Sequence, residues 1–221
     1  MAKQPQIGAE SLSMMWGTMV LIVAFAAGAV PFSYMIAQSL ARTDLRQVGT
    51  GTVSGTGLYR VAGFIPLVVG GLCDVGKGAL GPFLAGDRWL LMAFAGAVSV
   101  IGHNWSMFIN GAGGRGLSPA LGAFAVIAWP AALFLLGGLA LGRILRHTGL
   151  VVFITMPALP PFLLLVADGQ AAIASTVIIV PILIKRVLGN EPLPTPNRMK
   201  AAAHRLVFDN DSWVSASPSS S

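Results

Sequence analysis

Apolar positions fall in long blocks separated by short polar, glycine-rich stretches. The blocks cover residues 14–38, 58–73, 90–100, 118–141, 150–167 and 171–184, and Arg60 is the one charged residue inside them. A helix crossing a bilayer needs roughly 20 mostly apolar residues, and several of these blocks approach or exceed that length. The pattern predicts membrane-spanning helices. The first block, preceded by one lysine (Lys3) and one glutamate (Glu10), lacks the basic leader and short apolar core of a cleaved signal, so it is read as a retained span. Composition agrees: 55% of residues are hydrophobic and 10% charged, with a mean hydropathy of +0.76. Soluble domains carry about 25% charged residues, so a water-facing surface is excluded. The expected fold is all-α, a polytopic integral membrane helical bundle.

Charge sets the number of spans. Between blocks the basic residues are Arg42, Arg46 and Arg60, then Arg88, then Arg115, then Arg143 and Arg146, and finally Lys185, Arg186, Arg198, Lys200 and Arg205. With six spans these clusters fall on both sides, against the tendency of basic loops to stay cytoplasmic. Splitting residues 118–141 at Trp129-Pro130 gives about seven spans and gathers every basic cluster on one face, leaving Lys3 and Arg88 on the other. Proline is tolerated at the start of a helix. The alternative is six spans, with 118–141 as one kinked helix. Residues 1–191 form a single membrane domain. Residues 192–221 form a cytoplasmic tail, with a short amphipathic helix over 197–208 resting on anionic headgroups and a disordered Ser-rich end.

The net charge of +6 reads as membrane-side basic loops, not nucleic-acid binding. Cys73, the single cysteine, permits no intrachain disulfide and reads as a packing residue. Three scattered histidines and no close carboxylate pair leave no expected metal site or cofactor.

Three polar clusters stand beside the apolar blocks, where function in a membrane protein is sought. Residues 44–60 read DLRQVGTGTVSGTGLYR. Gly49, Gly51 and their neighbours can turn backbone N–H groups toward an anion, Thr50 and Ser54 add hydroxyls, and Arg46 and Arg60 add charge. A flexible loop whose arginines mark the cytoplasmic face is the competing reading. Residues 102–118 read GHNWSMFINGAGGRGLS. There Gly113, Gly114 and Gly116 surround Arg115 at the start of a span, a second candidate phosphate cradle beside a helix N-terminus. His103 is a candidate proton carrier, although a histidine at a helix end is more often a structural hydrogen-bonding residue. In residues 74–78, DVGKG, Asp74 and Lys77 share a helical face and are expected to pair.

These clusters, in this order, resemble the motifs of the bacterial acyl-phosphate:glycerol-3-phosphate acyltransferases, the PlsY-like family. Residues 28–34 (GAVPFSY), 44–60, 74–78 and 102–116 each resemble a family motif. The chain departs from the pattern at Thr52, Gly57, Ala112 and Gly149. In the third motif the family's His and Asn fall on Val180 and Leu183. The resemblance implies transfer of a fatty acyl group from acyl phosphate to glycerol 3-phosphate in phospholipid synthesis, giving lysophosphatidate. It implies catalytic roles for Thr50, Arg60 and Arg115, and phosphate binding by Arg46, Gly49, Gly51, Ser54, His103, Gly113, Gly114 and Gly116. It places the chain as a multi-pass protein of the bacterial inner membrane, N-terminus outside and C-terminus cytoplasmic, with membrane lipid as surroundings. The departures keep a rival open: a non-catalytic relative that binds a phosphorylated lipid or membrane partner. A transporter, supported by the Asp74/Lys77 pair and the short broken helix, is the third class. Oligomeric state is not legible.

Overall fold

A computed structural model describes residues 7–49, 51–193 and 197–209. Among the described residues every regular element is a helix: α1 Ile7–Ala29, α2 Phe32–Ala41, α3 Gly55–Ala62, α4 Phe64–Ala85, α5 Trp89–Asn104, α6 Leu117–Ile127, α7 Trp129–Ile144, α8 Thr148–Val166, α9 Gly169–Leu188 and α10 Arg198–Phe208. Two single-turn 3-10 helices, Leu45–Gln47 and Met107–Ile109, lie in the connections. Among the described residues, five apolar segments are long enough to cross a membrane, and α6 and α7 are shorter apolar helices.

The first two expected blocks are redrawn. Residues 14–38 do not form one helix, because the chain breaks at Val30-Pro31 between α1 and α2. Proline supplies no N–H and clashes with the preceding turn. The carbonyls freed there find partners elsewhere: Ala29 accepts from Ser106 Oγ at 2.5 Å and Val30 accepts from Lys77 Nζ at 2.6 Å. The second block does not stop at residue 73. It follows α3 across Gly63, whose φ of 88° suits glycine, and α4 continues through Asp74 and Lys77 to Ala85. Both ionic groups are 5% exposed. They pair at 2.7 Å, and Ser33 Oγ donates to Asp74 at 3.2 Å. A buried charge at membrane depth needs such a partner, and this one also caps the broken end of α1.

The expected division of 118–141 is present. The helix breaks at Ala128 (φ −157°, ψ 96°), and Trp129-Pro130 opens α7. At about 16 Å, α6 is too short to cross a bilayer alone, and it packs against α4 and α5. Small residues allow the close crossings. Gly78 lies against the Pro119 backbone and Gly122 against the Val75 carbonyl, while a Cβ on Gly102 would sit 2.8 Å from Ala29 N. Without a hydrophobic drive between helices in lipid, backbone approach of this kind supplies the packing. The main core gathers Phe124, Leu135, Met156, Leu159, Ile178 and Ile182 from α6 to α9, and a smaller cluster (Leu45, Val53, Leu58, Ile109) seats the polar connections.

The tail helix begins at Arg198 and docks on α8 and α9 with Ala201 and Arg205 fully buried. Protein supports that face, where headgroups were expected to; Arg198, Met199 and Lys200 remain exposed. Residues 210–221 lie outside the described chain.

Candidate active site

The basic residues converge on one end of the bundle. Arg60, Arg115, Arg143 and Arg186, drawn from four separate segments, line a single cavity of about 770 Å³. Arg88, by contrast, donates to Ser13 at the start of α1. The 22 residues of α4 run from the cavity end to the Arg88 end, about 33 Å.

The second glycine-rich stretch forms the inner wall. After Ser106 and the Met107–Ile109 turn, Gly113, Gly114, Arg115 and Gly116 are all buried. Gly116, at φ 76°, precedes α6, and a Cβ there would lie 2.6 Å from Val100. Arg115 is 8% exposed. Its Nη1 donates to the Lys185 carbonyl at 3.2 Å, and its Nε lies 2.7 Å from Asp209 Oδ1. His103 lines the same cavity, with Nδ1 3.9 Å from Asp74.

The first glycine-rich stretch forms the outer wall. Ser54 caps α3 by accepting from the Gly57 N–H at 3.3 Å and also faces the cavity, as do Gly49 and Thr52. Arg60 is exposed and reaches back over Gly49. The two walls are joined directly. Val53 N–H donates to the Gly113 carbonyl at 3.2 Å, and Asn190 Nδ2 bridges the Gly51 and Gly113 carbonyls at 3.0 and 3.1 Å.

Some expected site residues take other duties. Arg46 does not line the cavity; it pairs with Asp44 at 2.6 Å and lies over the Tyr34 ring. That hydrogen-bonded guanidinium holds the Asp44 carboxyl below its usual range. The nest reading fails for two glycines, since Gly51 N–H donates to Val48 O and Gly114 N–H to His103 O. Gly51 and Gly113 shape the walls through their carbonyls. Thr50 lies outside the described residues. Arg143, Arg186 and Asp209 were not singled out as site residues. Arg186 stands in the stretch resembling the end of the third motif, which was the available signal; Asp209 carried none. Val180, where the resemblance puts the family's histidine, is 48% exposed and off the cavity. Gly149, where the resemblance has a serine, packs against the Phe208 backbone, where a Cβ would sit 2.6 Å from the Phe208 carbonyl carbon.

In chemical terms, the cavity offers four guanidinium groups against two carboxylates, Asp74 and Asp209, with hydroxyls from Ser54, Ser118 and Thr148. Guanidinium matches phosphate oxygens in geometry and charge. Tyr59, Phe64, Leu67, Leu139 and Val152 line the same cavity and give it apolar surface.

Residues 18–190 match the family model described as glycerol-3-phosphate acyltransferase. A relative of that description from Halalkalibacterium halodurans is 35% identical over 153 residues, covering 65% of this chain and 73% of the relative. Another, from Synechococcus sp. (strain CC9902), is 31% identical over 173 residues, covering 75% and 84%. Among solved structures, PlsY (YgiH), an integral membrane glycerol 3-phosphate acyltransferase in its glycerol 3-phosphate form, superposes with a TM-score of 0.64 at 28% identity, covering 78% of this chain and 92% of that one. With motifs, helical bundle and sequence match in accord, the chain belongs to the glycerol-3-phosphate acyltransferase family.

Proposed function

We propose that this protein transfers a fatty acyl group from acyl phosphate to glycerol 3-phosphate at the cytoplasmic face of a bacterial inner membrane. The observation that carries the reading is the convergence of Arg60, Arg115, Arg143 and Arg186 on one cavity that also has apolar surface. Two phosphate-bearing substrates must meet there, and four cations suit that load.

The acceptor hydroxyl oxygen attacks the acyl carbonyl carbon. The bond from that carbon to the phosphate oxygen breaks, and inorganic phosphate leaves with the hydroxyl proton. The donor's own phosphate accepts the proton, since Asp74 and Asp209, the carboxylates of the cavity, are already paired with Lys77 and Arg115. Catalysis then consists of positioning and charge stabilisation. Arg115, fixed in the inner wall, holds one phosphate. Arg60, at the exposed side, meets the other, and Thr50 contributes a hydroxyl to it. The acyl chain leaves along Tyr59, Phe64 and Leu67 toward the bilayer. Seven spans, with α6 and α7 as two of them, put the N-terminus outside and the cavity, with the C-terminus, inside; the Arg88–Ser13 contact at the far end of α4 supports this.

The test is acyl transfer to labelled glycerol 3-phosphate by the purified chain in lipid, comparing acyl phosphate, acyl-CoA and acyl-carrier-protein donors. Turnover is expected with acyl phosphate alone. Silence with every donor, in protein shown to be folded, would leave the non-catalytic reading, which Val180 and Leu183 favour.

A further inference from the structure

The family match ends at residue 190, and α10 lies beyond it. This added helix nevertheless reaches the deepest cation of the cavity. Arg205 pins it, donating from Nη1 to the carbonyls of Leu188 (3.0 Å) and Glu191 (2.8 Å) and from Nη2 to Pro192 (3.3 Å). Its last turn lies on Gly149, where only a residue without Cβ leaves room for the Phe208 backbone. The helix then ends at Asp209, whose left-handed φ of 54° closes it and whose carboxylate lies in the cavity, 2.7 Å from Arg115 Nε and 3.7 Å from Arg186 Nε.

We infer that Asp209 is a built-in competitor for the phosphate of the substrate, and that it restricts the site to ligands bearing a doubly charged phosphate monoester. The inference rests on the phosphate reading of the cavity. Three observations meet in it. The carboxylate sits on two of the four cavity guanidinium groups: Arg115, to which a substrate phosphate is assigned, and its neighbour Arg186. Gly149, where the family resemblance has serine, gives the helix its seat. Arg205, buried in the bundle, returns the carboxylate to the same place after each release. A single carboxylate offers one negative charge to two cations. A phosphate monoester near neutral pH brings close to two charges and three acceptor oxygens, so it displaces the carboxylate where a monoanion or neutral polyol does not. Withdrawal needs only the turn at residue 209 to open, with Arg205 still anchored.

The experiment is calorimetric titration of the full-length protein in phosphatidylcholine nanodiscs with glycerol 3-phosphate, and with glycerol as a neutral probe. The variants are Asp209→Asn, which removes the competing charge, and Gly149→Ala, which keeps the aspartate but lifts the end of α10 and with it the carboxylate. Melting temperatures establish that each variant is folded. Both variants are expected to bind glycerol 3-phosphate more tightly than the parent, by about tenfold for Asp209→Asn, the order of one charge-assisted contact. Glycerol is expected to show no response. Equal affinity in parent and variants overturns the competitor while leaving the phosphate cavity intact. Weaker binding in Asp209→Asn also overturns it, by making the carboxylate a support for Arg115. Absence of binding to every folded variant, parent included, removes the phosphate reading itself.

Discussion

Two glycine-rich stretches, each bearing an arginine, face each other across one cavity, yet they are held in opposite ways. The stretch over 111–116 is built into the bundle: four consecutive residues are buried, Gly113 accepts two hydrogen bonds, and Arg115 is itself buried and donates to the Lys185 carbonyl. The stretch over 49–60 rests on a small apolar seat of Leu45, Val53 and Leu58, while Gly49, Thr56, Tyr59 and Arg60 remain exposed. A guanidinium fixed before the ligand arrives loses little freedom on binding, whereas an exposed one is ordered only when the ligand comes. The inner wall is therefore the preformed half of the site, and the outer wall is the half that adapts.

The largest effect expected from this contrast lies at the two arginines. Arg115→Ala removes a buried charge-assisted contact worth about 1.5–3 kcal/mol, so glycerol 3-phosphate affinity should fall by roughly 10–100-fold. Arg115→Lys should recover part of it. Arg60→Ala should weaken binding less but lower the turnover rate, as expected of a group that engages mainly in the transition state. Titration calorimetry and acyl-transfer kinetics on the same preparations separate the two. Equal losses of affinity in both alanine variants would erase the distinction between the walls.

Stability should follow the same division. In Gly114→Ala the new Cβ would lie 2.8 Å from the Val53 carbonyl and overlap the His103 ring, in a wall with no room to yield. Overpacking of this kind costs about 1–3 kcal/mol and should appear as a lower melting temperature. Gly71→Ala, in α4 with open space around it, is the control and should melt like the parent.

Between the walls stands Asn190. Asn190→Ala removes both bridging donors and is expected to cost about 1–2 kcal/mol, the net value of one or two partly buried hydrogen bonds. Hydrogen exchange should accelerate over 51–57 more than over 113–116, because the inner wall keeps its other supports. Equal acceleration on both sides would show that Asn190 holds the whole site and not the outer wall alone.

Much of this was legible in the sequence, for reasons that also mark what was not. Apolar block length exposes membrane helices, and Trp129-Pro130 marked the division between α6 and α7. The break at Val30-Pro31 was hidden because apolar residues continue through it, and its compensation by Lys77 and Ser106 comes from elements far along the chain. The pairing of Asp74 with Lys77 was legible in their spacing, but their burial within α4 was not, since burial is not written in local hydropathy. At the site, Arg60 and Arg115 were visible as charge among glycines. Arg46 was misassigned because the same composition serves a local ion pair. Asp209 could not be seen at all, since its role depends on where a docked helix ends.

The smallest expected effect tests that misassignment. Asp44 accepts from the Arg46 N–H at 2.9 Å and pairs with its guanidinium outside the cavity. Because this pairing lowers the carboxyl's pKa from its ordinary 3.8, its contribution to stability is fully present above that value and is lost as pH falls through the lower folded one. Asp44→Asn keeps an acceptor for the backbone N–H but removes the ion pair. At neutral pH it should cost about 0.2–1 kcal/mol, the range of solvent-exposed pairs. The melting-temperature gap between parent and variant should narrow as pH drops below about 4, where the carboxyl of the unfolded parent begins to protonate while the folded one is still ionised. Glycerol 3-phosphate affinity should stay within about twofold, since neither member of the pair reaches the cavity. A large loss of affinity in Asp44→Asn would mean that the pair aims Arg46 at the ligand when it binds, and the adaptable wall would then contain two arginines instead of one.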